Sequence, residues 1–406
     1  MASRRLTLPV SPHGCCAPLL RNATAMPASA NLPRCHDGHR ELDGTGRHCS
    51  WRLRVLFSVC AVLPLVSPLE AAEYVVRTAA ELRIRLGKLA AGDVLKVAPG
   101  TYPGGMYVKG IARLTVEALD PEKPPLIEGG KTGWHFTECP QLTLRHIHLH
   151  GQSINGLDVD EGGADKPMVE GVLIEGVHAS DIGPNGNHDG IKLSGLRDAV
   201  IKDCVVTGWG GQAIDLVGCH DIRITGCRIV GKLGYNPPSG VQIKGGSSNV
   251  VVEECRFERA GERPVNIGGS TGLPYFRPRD ATYEARNITV RRNHIEGSWC
   301  AAAFVGVDGA VFEDNTVLIP GRWIFRILQE NRNEGFVPCR NGIIRGNRIV
   351  FRRADIREDV NQSDGVAAET FRFENNHWFA ADRPASSKPR LPVQEIGGVY
   401  GVDPRR

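Results

Sequence analysis

Apolar and polar positions alternate along residues 187–270 in a short pattern that comes round four times. The repeats are Asp189-Gly-Ile-Lys-Leu-Ser-Gly195, Gln212-Ala-Ile-Asp-Leu-Val-Gly218, Ser239-Gly-Val-Gln-Ile-Lys-Gly245 and Arg263-Pro-Val-Asn-Ile-Gly-Gly269. Aliphatics hold one parity (Ile191/Leu193, Ile214/Leu216, Val241/Ile243, Val265/Ile267) and polar or small residues the other, the period of a half-buried strand. The repeat distance of roughly 23 to 27 residues is that of a solenoid coil. A second run stays in phase with the first. After each strand an aliphatic stretch ends in one small or amide residue before a further apolar pair, at Cys204, Cys227 and Cys255, then at Asn293, Asn315, Asn347 and Asn376. Backwards the series reaches Val177 and Ile147.

Stacked coils put these residues in one column about 4.8 Å apart, where Asn side chains can bond along the axis and satisfy buried turn groups. The pattern therefore predicts an all-β fold, a single-stranded right-handed parallel β-helix of about 10 coils. Helical spacing over Ala79–Leu89 predicts a cap on the open first coil, which otherwise leaves strand edges unpaired. The organisation expected is a leader over 1–72, a β-helix over 73–380 and an extended tail over 381–406.

Composition changes this picture mainly at the amino end. Arg52 and Arg54 precede an apolar run from Val55 to Val66 and then Ser67-Pro-Leu-Glu-Ala-Ala72, the regions of an export signal, with a start assigned too far upstream as one reading of residues 1–50. The run is too short for a membrane span. The expected location is therefore outside the cytoplasm, whether secreted, periplasmic or at the cell surface. The leader holds 8 Arg and 4 acids, so the 49 basic and 45 acidic residues of the whole chain reduce to equal numbers beyond it. That balance gives no reason to expect nucleic acid; no integral membrane span and a monomer are expected. Cys204, Cys227 and Cys255 share the turn column, where in-register side chains make poor bridge geometry, and are read as buried free thiols. His146, His148 and His150 alternate, and are read as a solvated outer face rather than a metal comb.

Alignment by the aliphatics gives the outward face. Its central column reads Asp158, Lys192, Asp215, Gln242, Asn266 and Phe304, and the next Asp160, Ser194, Val217, Lys244, Gly268 and Gly306. Insertions at 231–239 and 270–283 carry Tyr235 and Tyr275 beside this strip. A flat polar strip between aromatic loops suits an extended polysaccharide, with His188, Asp189, Lys192, Asp215, Gln242, Asn266, Tyr235 and Tyr275 as substrate contacts. Asp158, Lys192 and Asp215 also read as an alternating-charge ladder that only stabilises the sheet. Lys244 and Arg263 have no acid at the aligned position of the neighbouring coil and look prepared for an anion, as a uronate polymer supplies.

The sequence from Ala79 through Gly92-Asp-Val-Leu-Lys-Val-Ala-Pro-Gly-Thr-Tyr102 resembles the amino end of exported β-helix proteins of the pectin-lyase type. The placing of Lys244 and Arg263 on neighbouring coils resembles chondroitinase-B-like and alginate lyases. That resemblance implies β-elimination with Lys244 as base, Arg263 as acid or charge stabiliser, and a calcium beside them. It departs at the metal, because Asp215, Gln242 and Asn266 are the nearest ligands and bring one charge. Asn187-His-Asp-Gly-Ile191 looks instead like a strand of polygalacturonase-type hydrolases, whose second acid pair is missing from Gly211-Gln-Ala213. A non-catalytic β-helix that binds glycans or a protein is the third reading.

Overall fold

In a computed structural model, residues 71–405 are described. All but the last two residues of the expected leader lie outside that range. The described chain winds through three parallel sheets of 12, 10 and 12 strands, each strand pairing with its counterpart one coil away, which makes a parallel β-helix. The ten-stranded sheet carries the column of the repeats. Its strands are β1 (Met106–Lys109), β2 (Thr132–Thr137), β3 (Asn155–Asp160), β4 (Ile191–Ser194), β5 (Gln212–Val217), β6 (Ser239–Lys244), β7 (Arg263–Gly268), β8 (Ala302–Val305), β9 (Trp323–Leu328) and β10 (Glu358–Gln362). Register follows the repeats, with Ile191 opposite Ile214, Ile214 opposite Val241 and Val241 opposite Val265.

These aliphatics are fully buried and form one continuous core. At several strand starts close approach requires a glycine. A Cβ on Gly190 would lie 2.6 Å from the carbonyl oxygen of Ala213 on the next coil. Helix α1 (Ala79–Leu86) starts at Thr78, whose hydroxyl accepts from the Glu81 N–H at 3.2 Å, and it sinks Leu82 into the core.

The turn column bonds as a chain. The Asn293, Asn315 and Asn347 amides each donate to the Oδ1 of the next Asn, Asn376 closing the row. At the other end the Asn293 Oδ1 accepts from the Cys255 N–H at 2.9 Å. All seven cysteines among the described residues are free and buried. The Cys204, Cys227 and Cys255 thiols point at backbone carbonyls.

Two expectations need correction. Phe304 is inward, opposite Ile267, while Ala303 takes the outward place opposite Asn266 and Val305 the place assigned to Gly306. Ala301-Ala-Ala303 carries no parity signal, and the large ring took the core. His148 and His150 are half-buried and both meet the Ser180 hydroxyl, at 2.8 and 2.9 Å, with His148 stacked on His178 at 4.2 Å. Within 381–406, Val399–Tyr400 pairs in parallel with His377–Ala380. Among the described residues no helix is long and apolar enough to cross a membrane.

Candidate functional site

The outward column of the ten-stranded sheet reads Tyr107, His135, Asp158, Lys192, Asp215, Gln242, Asn266, Ala303, Arg326 and Asn361, one residue per coil. A cavity of ≈ 750 Å³ opens over its first five members and over Lys244 from the next column. One wall is the turn after β3, with Glu161. On the same side stands the 270–283 insertion, which contributes Thr271, Tyr275 and Arg277. The insertion is pinned from below. Glu284, fully buried, accepts from the Thr271 N–H and hydroxyl, each at 2.7 Å, and Arg277 forms an ion pair with buried Glu161, joining the insertion to the turn after β3.

On the floor, charges alternate. Lys192 Nζ lies 3.1 Å from Asp189 Oδ2 and 3.3 Å from Asp215 Oδ2, and Lys244 Nζ stands 3.0 Å from Asp215 Oδ1. Asp189 and Asp215 are wholly inaccessible. Burial, and then the Asp215 charge, hold the Asp189 carboxyl above its ordinary value. Lys192 is raised despite burial, because Asp215 and Asp189 both favour its charged form.

Lys244 is thus not without an acid. Its aligned neighbour is Val217, but the long side chain reaches diagonally to Asp215 on the same coil as Val217. The Asp215 Oδ1 has no hydrogen bond of good direction, so the Lys244 contact is ionic only. Arg263 is not free either, since Nη2 pairs with Glu330 Oε1 at 2.7 Å and Nη1 leans on Asn266 Oδ1 at 3.4 Å.

The amino end of the trough has a different chemistry. His135 Nε2 lies 2.5 Å from Asp160 Oδ2, and the other Asp160 oxygen accepts from the Thr137 hydroxyl and from the Gly162 N–H at 2.7 Å. The Asp160 hydrogen bond raises His135, outweighing burial. Burial raises Asp160, but the bonds from His135 and Thr137 outweigh it and hold that carboxyl low. Asp158, which accepts from Asn155 at 3.0 Å, is pushed up to about 6, chiefly by burial. The Tyr107 ring meets the His135 ring edge-on at 5.1 Å.

The fold brings together Lys192, Asp215, Lys244 and Tyr275, with Asp189 beneath them. It leaves the rest apart. Gln242 and Asn266 are buried further along the column, outside the trough. Arg263 starts its strand opposite Ser239, five positions from the place of Lys244, or ~16 Å along the strand. His188 turns its Nδ1 into the protein without a partner, and Asn187 lines the trough instead. Tyr235 packs over Lys232, which pairs with Asp181, away from the trough.

Sequence reasoning passed over His135, Tyr107, Glu161 and Arg277. The first had a readable signal, because Thr132-Gly-Trp-His-Phe-Thr137 repeats the pattern of Asn155-Gly-Leu-Asp-Val-Asp160 one coil earlier with aromatics inside. Nothing local marks Arg277 and Glu161, which are 116 residues apart.

A calcium at Asp215 does not fit. Both carboxylate oxygens face ammonium groups, and that ion needs six to eight oxygens. His135, Asp158 and Asp160 hold ligand atoms within 4.8 Å of one another, a set that includes nitrogen and in which Asp160 is already engaged three times.

Comparison with known proteins bears on the fold. The mannuronan C-5 epimerase A-module from Azotobacter vinelandii superposes with a TM-score of 0.53 at 12% identity, over 80% of this chain and 88% of that one. A mannuronic acid specific polysaccharide family 6 lyase from human gut microbiota gives 0.50 at 14% identity, over 81% and 91%. A family 6 alginate lyase in complex with a trisaccharide also gives 0.50 at 14%, over 77% and 71%. At these identities the likeness is one of fold. No curated protein matches the sequence significantly. The model described as the right handed beta helix region matches residues 155–377, more than half of the chain and the same coils that stack in three parallel sheets, and the chain belongs to that family.

Proposed function

We propose that the trough binds an acidic, uronate-containing polysaccharide and cleaves it by β-elimination. The observation that carries this reading is the His135–Asp160 pair at 2.5 Å, set one coil from the half-buried Asp158 carboxylate and two from the Lys192 ammonium on the same floor. Elimination removes the C5 proton, breaks the C4–O bond, forms a C4–C5 double bond and returns a proton to the leaving oxygen. It needs the C6 carboxylate neutralised, a base and an acid.

His135 is the base, its ring oriented by Asp160. Lys192, two rungs from His135, faces the sugar carboxylate, Lys244, four rungs away, offsets the carboxylate charge of a neighbouring sugar, and the Tyr107 hydroxyl at the rim protonates the leaving oxygen. Lys244 thereby moves from the base's part to charge stabilisation. Because Asp160 raises His135, the neutral base is available only above the ordinary histidine value of 6.5, and turnover climbs with pH there. No step uses a metal.

A second reading, a β-helix that binds glycan or protein without cleaving, is favoured by one fact. Both trough lysines already have carboxylate partners, so the floor also makes sense as a stabilising charge ladder. Incubation of the purified protein with alginate, pectate, chondroitin and dermatan, with and without calcium, separates the two. Elimination gives an unsaturated product that absorbs in the ultraviolet from at least one polymer, independently of calcium. Binding without product supports the second reading.

A further inference from the structure

Beyond the trough the same sheet face changes character. Three rungs after β6, ~14 Å along the axis, the outward place of β9 is held by Arg326, whose Nε donates to Asn361 Oδ1 at 3.0 Å. It has no carboxylate at ion-pair distance among the described residues. Two acids of the neighbouring coils are engaged elsewhere, Glu330 by Arg263 at 2.7 Å and Glu358 by the Asn361 amide at 3.1 Å. Burial, and then the like charge of Arg263, lower Arg326, while Glu330 and Glu262 offset this only in part. A half-buried guanidinium without a carboxylate partner is unfavourable unless an anion reaches it.

A third arginine makes the same point. Arg322 has no acid partner among the described residues, and its Nε is buried without any hydrogen bond. It lies over two indole rings, Trp323 at 4.4 Å and Trp299 at 5.0 Å, while Arg326 covers Trp323 at 4.2 Å. Trp299 is 41% exposed, an uncommon state for so large an apolar ring. Planar guanidinium forks suit carboxylates bidentately, and exposed aromatic faces suit the C–H faces of sugars.

We infer that Arg322, Arg326 and the Trp299–Trp323 pair form a second binding site, for a uronate residue several sugars along the same polymer that occupies the trough. This rests on the uronate reading of the trough. Its position on the same sheet face, in line with the helix axis, lets one extended chain reach both. Arg263 gains a role here, holding Glu330 away from Arg326 and adding positive charge, rather than one in the chemistry of the trough.

The test is calorimetric binding of a hexameric oligouronate (mannuronate and galacturonate in separate runs) and of neutral maltohexaose to the full chain. Arg326→Gln, Arg322→Gln and Trp299→Ala are compared with the unchanged protein, each checked for folding by its melting curve. The arginine changes are expected to weaken hexauronate binding about tenfold apiece, the size of one lost charge-assisted contact. Trp299→Ala weakens it less, and maltohexaose binding does not respond to the arginine changes. Unchanged hexauronate affinity in folded Arg326→Gln and Arg322→Gln, an equal loss for maltohexaose, or no hexauronate binding by the unchanged protein overturns the inference. The two proposals fail separately. Weakened binding with no unsaturated product from any polymer removes the lyase reading and keeps the site, whereas product formation with unaltered affinity removes the site alone.

Discussion

Two lines of polar side chains run along this helix, one inside and one outside, and they obey opposite rules. Inside, Asn293, Asn315, Asn347 and Asn376 are the same residue on successive coils, bonded at 2.8–3.1 Å to each other's side chains and backbone N–H groups. Outside, the column from Tyr107 to Asn361 changes chemical type at almost every rung. The inner line repeats because every coil has the same turn to satisfy in a dry interior. The outer line is under no such demand, so its variation is where activity can reside. Where Lys192 and Asp215 pair, joined by Lys244 from the next column, they pair by charge and across coils rather than by identity.

Breaking the inner line should cost most stability. Asn315→Leu removes the acceptor of the Asn293 N–H and the donor to the Val290 carbonyl, both buried. A loss of about 2–4 kcal/mol is expected, read from the denaturant midpoint. Lys244→Ala on the outer line should cost under about 1 kcal/mol, because the lysine is part-exposed and Asp215 keeps Lys192. Comparable losses for the two would erase the distinction between the lines.

The pH dependence of stability sharpens it further. Asp158 binds its proton more tightly folded than unfolded, so its contribution is present below the ordinary value of 3.8 and is lost as pH rises through about 6. Asp158→Asn should therefore stabilise the protein at pH 8, on the order of 1–3 kcal/mol, and do little at pH 3. His148, on a neighbouring sheet, has the opposite sign. Burial, then His178 and His150, lower it to about 4, so its contribution is present above 6.5 and is lost as pH falls through about 4. His148→Gln should reduce the loss of stability over that window by about 1–2 kcal/mol. Melting curves of both variants across pH decide this. Shifts of the same sign would contradict the assigned environments.

The inner line is what the sequence makes legible. Its spacing and amides announce the coils, and the parity of Ile191, Ile214, Val241 and Val265 fixes the register between them. The outer line is legible only while parity is marked. It gives Lys192 beside Asp215 correctly, fails at Ala301–Ala303 where three identical small residues carry no phase, and misses the Lys244–Asp215 contact because a long side chain crosses the column diagonally. The walls were out of reach, since Glu161 meets Arg277 through a loop whose path no local rule dictates. His135 shows a different limit: its strand fits the repeat, but Trp134 and Phe136 stand where later coils have aliphatics.

The central claim is that the outer line does chemistry at its His135 end. The most direct test is the rate of unsaturated-product formation by His135→Ala, set against the unchanged protein on whichever uronate polymer it cleaves. Loss of a general base lowers that rate by about 100-fold or more, with the melting temperature retained and the rise of rate with pH above 6.5 abolished. Turnover that survives in His135→Ala with the same pH profile would contradict the account.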